Sequence, residues 1–328
     1  MNLINRVFSK KKDSNKLYTE ALEALVEGDI ENAVFKLKDL VRIDTNNIRA
    51  YLRLGDIFRE NLKLDQALKV HQSLILRKRL SKALQSKIYI SLAKDFFELK
   101  KYERVEYYIF EILKIDKKNI WALNFILNLY IINEKWDYGI KILKKIEKIN
   151  AVSTSRKQSD LTINIAMEKE EDGSFVESIK YYKKALAIDS TNFSSHLKIG
   201  NIHEKNKNFK EALSEWKIFV EKSSTSDKKI YDKIENTFFE LGRFSEIEDF
   251  YRNLLIIDSN NYHAFLGLTN ILLLKGDFDE ALRSLEDLLV KDKNSTLLQL
   301  CKIKIILKKK NEDQIMLLVD NILSNLRD

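Results

Sequence analysis

The sequence predicts an all-α protein, a right-handed superhelical solenoid of about nine helix-turn-helix units, and three observations lead there. Apolar residues recur at three-to-four spacing, as in His196, Ile199 and Gly200 and then Ala212, Trp216 and Phe219. That is the period of amphipathic helices, not of strands. The pattern restarts at Ser14, Ile48, Ser86, Ile120, Ser159, Phe193, Lys228, Tyr262 and Thr296, at spacings of 34 or 35 residues except for 38 before Ser86 and 39 before Ser159. One hairpin cannot bury both its apolar faces, so units of one period must stack on each other. Small residues then mark the helix crossings. The eighth position of a unit is Ala21, Gly55, Ala93, Ala166 or Gly200, and the twentieth is Ala33, Ala67, Ala212 or Ala281, sizes that let two backbones approach closely.

Taken in order, residues 1–13 precede the array, which occupies 14–328 in this reading. Leu3, Ile4, Val7 and Phe8 share one helical face, and Lys10, Lys11 and Lys12 follow. Such a segment either lies on an anionic membrane, with about 1 kcal/mol from each lysine near the surface, or packs on the first unit, or stays disordered. The seventeenth residue of units two to eight is large: Leu64, Tyr102, Trp136, Phe175, Phe209, Phe244 and Phe278. These are predicted to plug the groove between consecutive helices. Units end on Asp44-Thr45, Asp116-Lys117, Asp189-Ser190, Asp258-Ser259 and Asp292-Lys293, and the chain has no proline. The Asp, with Asn47, Asn119, Asn192 and Asn261 after it, is expected to turn the chain and cap the next helix.

Units three and four, from Tyr89 to Tyr138, are the most aromatic. Helical spacing puts most of these rings in the core, with a base-stacking surface as the alternative. Residues 150–160, NAVSTSRKQSD, are the one small polar break, either a hinge between units one to four and five to nine or a longer loop. The two longer spacings are read as insertions in loops, near 77–80 and 151–157. In unit seven Glu235 takes the small-residue position, where a buried carboxylate needs a partner; either the repeat splays there, or Lys233 or another cation meets it. Unit nine, with helices at 296–307 and 313–326, carries the polar outer face of a terminal cap.

A 34-residue period with small residues at positions eight and twenty resembles the tetratricopeptide repeat. Unit two, YLRLGDIFRENLKLDQALKVHQSLI from Tyr51 to Ile75, together with Tyr18 to Asp44 and the long turn to Ala83, is similar to the lipopolysaccharide assembly protein B family, most of all between Arg49 and Leu74. The resemblance implies a bacterial protein whose repeats face the cytoplasm at the inner membrane, and which regulates lipopolysaccharide (lipid A) synthesis by bringing the deacetylase to a membrane protease. That family also has an N-terminal membrane-spanning helix and a C-terminal rubredoxin-like domain with paired CxxC elements. Neither is expected here, since Met1 to Lys12 has no long apolar run and Cys301 is the single cysteine.

Composition narrows the chemistry further. The net charge is +8, which reflects either a lysine-rich composition or a basic surface for acidic partners. A lone cysteine makes no internal disulfide, so a reducing cytoplasm is the expected compartment. No apolar segment of about 18 residues is present to span a bilayer, and no signal peptide. The histidines, His71, His196, His203 and His263, form no HExxH, and there is no phosphate-binding glycine motif. His196 and His203 share a helical face without further ligands. No catalytic residue, cofactor or metal is expected.

What remains is surface. In stacked hairpins the first helices line an inner, concave wall, and its positions here are Arg49, Arg53, Asp56 and Arg59 in unit two, Lys94 in unit three, Asn124 and Asn128 in unit four, Asn164 in unit five, Lys198 and Asn201 in unit six, and Asn270 in unit eight. Asparagine can both donate to and accept from a peptide backbone, and arginine adds a planar fork for carboxylates. The alternative is that asparagine at position nine belongs to the repeat's own pattern. The expected function is a non-catalytic scaffold or adaptor that binds protein or peptide segments, acidic ones included, in the cytoplasm or against the cytoplasmic side of the inner membrane through Met1 to Lys12. Regulation of lipopolysaccharide synthesis is the alternative, and nucleic acid is not an expected partner.

Overall fold

A computed structural model of the protein describes residues 2–223, 225, 227–291 and 296–309, and the side chains among them except at 2–13, 287–288, 291 and 296–297. Those residues form seventeen helices and no strand, in two compact units, Met1–Lys157 and Gln158–Asp328. The protein is thus an all-α stack of helical hairpins. The first unit holds α1 (Asn2–Val26), α2 (Ile30–Ile43), α3 (Ile48–Glu60), α4 (Leu64–Ile75), α5 (Lys82–Glu98), α6 (Tyr102–Ile115), α7 (Ile120–Ile132) and α8 (Trp136–Asn150). Each packs on the next, and α3 also touches α5. Next comes α9 (Ser155–Glu171), followed in the second unit by α10 (Phe175–Ile188), α11 (Ser194–Lys205), α12 (Phe209–Ser223), α13 (Lys228–Glu240), α14 (Ser245–Ile257), α15 (Tyr262–Lys275), α16 (Phe278–Lys291) and α17 (Thr296–Lys308). The backbone of residues 2–13 is the start of α1. The turn at Asp292-Lys293 and the second helix expected at 313–326 lie outside the described residues.

The longer spacings are not simply loop insertions. Helices α5 and α9 each run 17 residues, where the other first helices from α3 onward run 12 to 14. Much of the extra sequence is therefore an added N-terminal turn, and on α5 the Ser81 hydroxyl caps it by accepting from the Leu84 N–H at 3.3 Å.

The hairpin turns of units one to eight are closed in one way. Their fifteenth residue, Gly28, Leu62, Lys100, Glu134, Gly173, Lys207, Gly242 or Gly276, has φ between 56° and 83°. In the third unit the Lys100 N–H donates to the Phe97 carbonyl and the Lys101 N–H to the Phe96 carbonyl, each at 2.9 Å. That pair of bonds satisfies carbonyls the helix end leaves open.

Between hairpins the Asp and Asn side chains act as expected at three junctions. Asp44, Asp116 and Asp258 accept from the N–H two residues on, at 3.0 to 3.1 Å. Asn47, Asn119 and Asn261 cap α3, α7 and α15 at 3.0 to 3.2 Å. Asn192 departs. It is buried, donates to Ser159 at 3.1 Å and Asp160 at 2.9 Å, and accepts from the Ser194 hydroxyl, so its amide ties two units together instead of capping α11.

The core lies along the hairpin crossings. The small residues expected there are enclosed: Ala21, Ala33, Ala67, Ala93, Ala166, Ala212 and Ala281 are all 0% exposed. The large seventeenth residues do not plug the stack as predicted. Phe244 is 55% exposed and the others are half-buried, because they sit at the first turn of each second helix, at the rim. The plug is the twenty-fourth residue, two helical turns further in: Leu37, His71, Ile109, Leu143, Tyr182, Trp216, Tyr251 and Leu285, all buried. Its size is matched by the eighth position across the hairpin. A Cβ added to Gly55 would stand 2.3 Å from His71 Nε2, and one added to Gly200 2.4 Å from the Trp216 ring. In unit seven the larger Glu235 is met by the Tyr251 hydroxyl, which donates to it. Lys233, one expected partner, instead reaches Glu204 at 2.5 Å and Asn201 at 3.2 Å. Burial, and then the bond to Glu235, pushes the Tyr251 phenol well above its usual range.

Candidate functional site

The first helices of the first unit stand side by side in a fixed register, and side-chain contacts show it. Asp56 of α3 meets Ser91 of α5 at 3.4 Å, Arg59 of α3 meets Asp95 of α5 at 3.0 Å, Lys94 of α5 lies 5.8 Å from the Trp121 ring centroid of α7, and the Phe97 and Phe125 rings meet edge-on at 5.3 Å. Helices α3, α5 and α7, in this register, carry Arg49, Arg53, Asp56, Arg59, Lys94, Asn124 and Asn128.

These residues are not equally available. Arg59 is only 11% exposed and its fork is occupied, with Nη2 donating to Asp56 Oδ1 at 2.6 Å and Nη1 to Asp95 Oδ1 at 3.0 Å. Burial works against its charge, but Asp56 and then Asp95 outweigh that and hold its pKa above the ordinary arginine value. Below it, His71 of α4 is fully buried, with Nδ1 2.5 Å from Asp95 Oδ2 and Nε2 3.2 Å from the Leu52 carbonyl oxygen. Both ring nitrogens thus face acceptors. Two carboxylates and two bases from three helices thus form one closed network under the face.

What the network leaves over is cationic. Arg49 is exposed on the first turn of α3. Arg53, one turn on, is half-buried, and its enclosed Nε has no hydrogen-bond partner among the described residues. Lys94 is half-buried over Trp121, while Asn124 and Asn128 are exposed. In the second unit, Asn164 and Lys198 are half-buried, Asn201 accepts from Lys233 at 3.2 Å, and exposed Asn270 accepts from Lys304 at 2.7 Å. Two of its asparagines are therefore already engaged by lysines of the following repeat.

His71 and Asp95 were missed from sequence, since neither sits at a face position. Most rings of units three and four are buried or half-buried, as expected. The exceptions, Tyr107, Phe110 and Tyr138, are 52%, 43% and 53% exposed.

The tetratricopeptide repeat family model matches residues 264–297, one period of the hairpin pattern. The chain is similar to lipopolysaccharide assembly protein B of Escherichia coli strain K12, 19% identical over 267 residues that cover 80% of this chain and 68% of that one. Lipopolysaccharide assembly protein B of Haemophilus influenzae is 25% identical over 259 residues, covering 74% of this chain and 65% of the relative. The chain thus spans about two thirds of the length of both. Among solved structures, a tetratricopeptide repeat protein of Parabacteroides merdae aligns with TM-score 0.40 at 15% identity, over 80% of this chain and 99% of that one.

Proposed function

We propose that the protein is a non-catalytic adaptor that binds extended protein segments on the first-helix face, acidic segments in the first unit above all. The observation that carries this is the surplus of cations there. The nearby carboxylates Asp56 and Asp95 are consumed by Arg59 and His71, so Arg49, Arg53 and Lys94 remain for an incoming carboxylate. Asn124 and Asn128 beside them offer donors and acceptors to the segment's backbone.

The test is a charge reversal that spares the network. In Arg49→Glu/Arg53→Glu, cross-linked partners recovered from the native cell should fall about tenfold or more, while helicity and urea midpoint stay near those of the parent. Unchanged recovery removes the site. Arg59→Glu is unsuitable, because it would set a third carboxylate against Asp56 and Asp95.

A second reading is regulation of lipopolysaccharide synthesis by bringing the deacetylase to a membrane protease, favoured by the similarity to lipopolysaccharide assembly protein B over 80% of this chain. Normal deacetylase turnover in a deletion strain would end it. This reading puts the protein on the cytoplasmic side of the inner membrane. Among the described residues no helix is long and apolar enough to cross a membrane, and the side chains of Met1 to Lys12 lie outside the described residues.

A further inference from the structure

The second helices of the first unit carry a cleft of their own, lined by none of the residues of the proposed adaptor face. It runs along α6 and is closed by α7 and α8, with a volume of about 690 Å³. Tyr107, Phe110 and Leu113 form its wall, and Leu123 of α7, only 1% exposed, forms part of its lining. Tyr107 is held in place, since its ring meets Tyr108 edge-on at 5.1 Å and Tyr108 stacks on Phe96 at 5.6 Å. A large aromatic half in water and already ordered by packing, as Tyr107 is, loses little side-chain entropy on binding and makes a good anchor, and Phe110 adds exposed apolar surface beside it.

The charge around the cleft has one sign to spare. Glu111 is engaged by Lys114 at 2.5 Å. Lys117 and Lys145, at the end and the far side, are exposed and have no ion-pair partner among the described residues. On α8, Lys144 and Lys148 are exposed beside Lys145.

We propose that this cleft docks an acidic amphipathic helix of a partner protein. The stretch of α6 from Tyr107 to Ile115 is about 12 Å long at 1.5 Å per residue, or some two helical turns, and Lys117 follows in the turn after it. A helix laid along it would send apolar side chains at i, i+3, i+4 and i+7 against Tyr107, Phe110 and Leu123, and its flanking carboxylates toward Lys117 and Lys145. A flat anionic surface such as a membrane fits less well. Leu123 is recessed, and only a protruding side chain reaches it.

The test uses the full chain and a fluorescein-labelled helical peptide of about 14 residues, roughly four turns, with leucine at i, i+3, i+4 and i+7 and glutamate on both flanks. Fluorescence anisotropy should show saturable binding. Lys117→Glu/Lys145→Glu should weaken it about tenfold or more, as should Phe110→Ala, and Arg49→Glu/Arg53→Glu should leave it unchanged. Both lysines are exposed, so that double variant keeps its fold, which circular dichroism verifies. The proposal is overturned if no saturable binding occurs, if a peptide with lysine flanks binds equally well, or if the lysine reversals have no effect. It is overturned equally if the adaptor-face variant abolishes the binding, or if the two lysines are needed only for binding phosphatidylglycerol vesicles.

Discussion

At the scale of residues, the hairpins are keyed by pairs of matched size, and the pairs at Gly55 and Gly200 leave no slack. An added methyl at Gly200 meets the Trp216 ring 2.4 Å away. The ring is fully buried and has nowhere to swing. Gly200→Ala should cost about 1–3 kcal/mol, read as a lower urea midpoint with unchanged slope. Combined with Trp216→Leu, which vacates the space, it should cost less than the two single changes together, and simple additivity would show that ring and glycine do not compete. The Arg59 network makes a harsher prediction. Asp95→Ala leaves Arg59 short of one carboxylate and His71 Nδ1 facing nothing, and breaking a buried pair from one side costs about 3–5 kcal/mol. Asp56→Ala should cost much less, because Asp56 is 27% exposed and water replaces it. Equal losses from the two aspartates would mean that burial is not what decides the matter.

At the scale of elements, the hairpin turns show what the sequence could and could not say. Period, small crossing residues and Asp-Asn junctions were legible, because each rests on neighbours within one repeat. The left-handed turn residue is a glycine in four units, Gly28, Gly173, Gly242 and Gly276, and in four others Leu62, Lys100, Glu134 and Lys207 hold the same conformation. A β-carbon in that conformation costs about 1–2 kcal/mol, and the extra freedom of an unfolded glycine returns part of the gain. Leu62→Gly and Glu134→Gly should therefore each stabilise by about 0.5–1 kcal/mol in urea denaturation. A loss of stability would show that those side chains contribute more by packing than their backbone costs. The candidate site was read less well. Arg49, Arg53 and Arg59 look like one cluster on α3, yet Arg59 is claimed by Asp95, thirty-six positions on, and by a network with a histidine from another helix. Partners from different helices leave no mark in a local pattern.

At the scale of the whole molecule, stability is held between neighbours, since helices contact mainly those next to them in sequence. Apolar contacts join α12 to α16 and then α17 through Phe238, Phe250, Tyr251, Phe265 and Leu285, while a separate cluster around Leu37, Leu54 and Ile57 holds α1 to α4. In such an array a local injury lowers the free energy of opening for the damaged hairpin and the repeats stacked on it, and it fades with distance along the chain. Hydrogen exchange on Gly200→Ala under native conditions tests this directly. Amides of α11 and α12, and to a smaller degree α10 and α13, should exchange faster, in proportion to the measured loss of stability. Amides of α2 to α4 should keep the parent's rates. If all helices lost protection together, the chain would be opening as one cooperative body, and the account of stability as a sum over adjacent hairpins would be wrong.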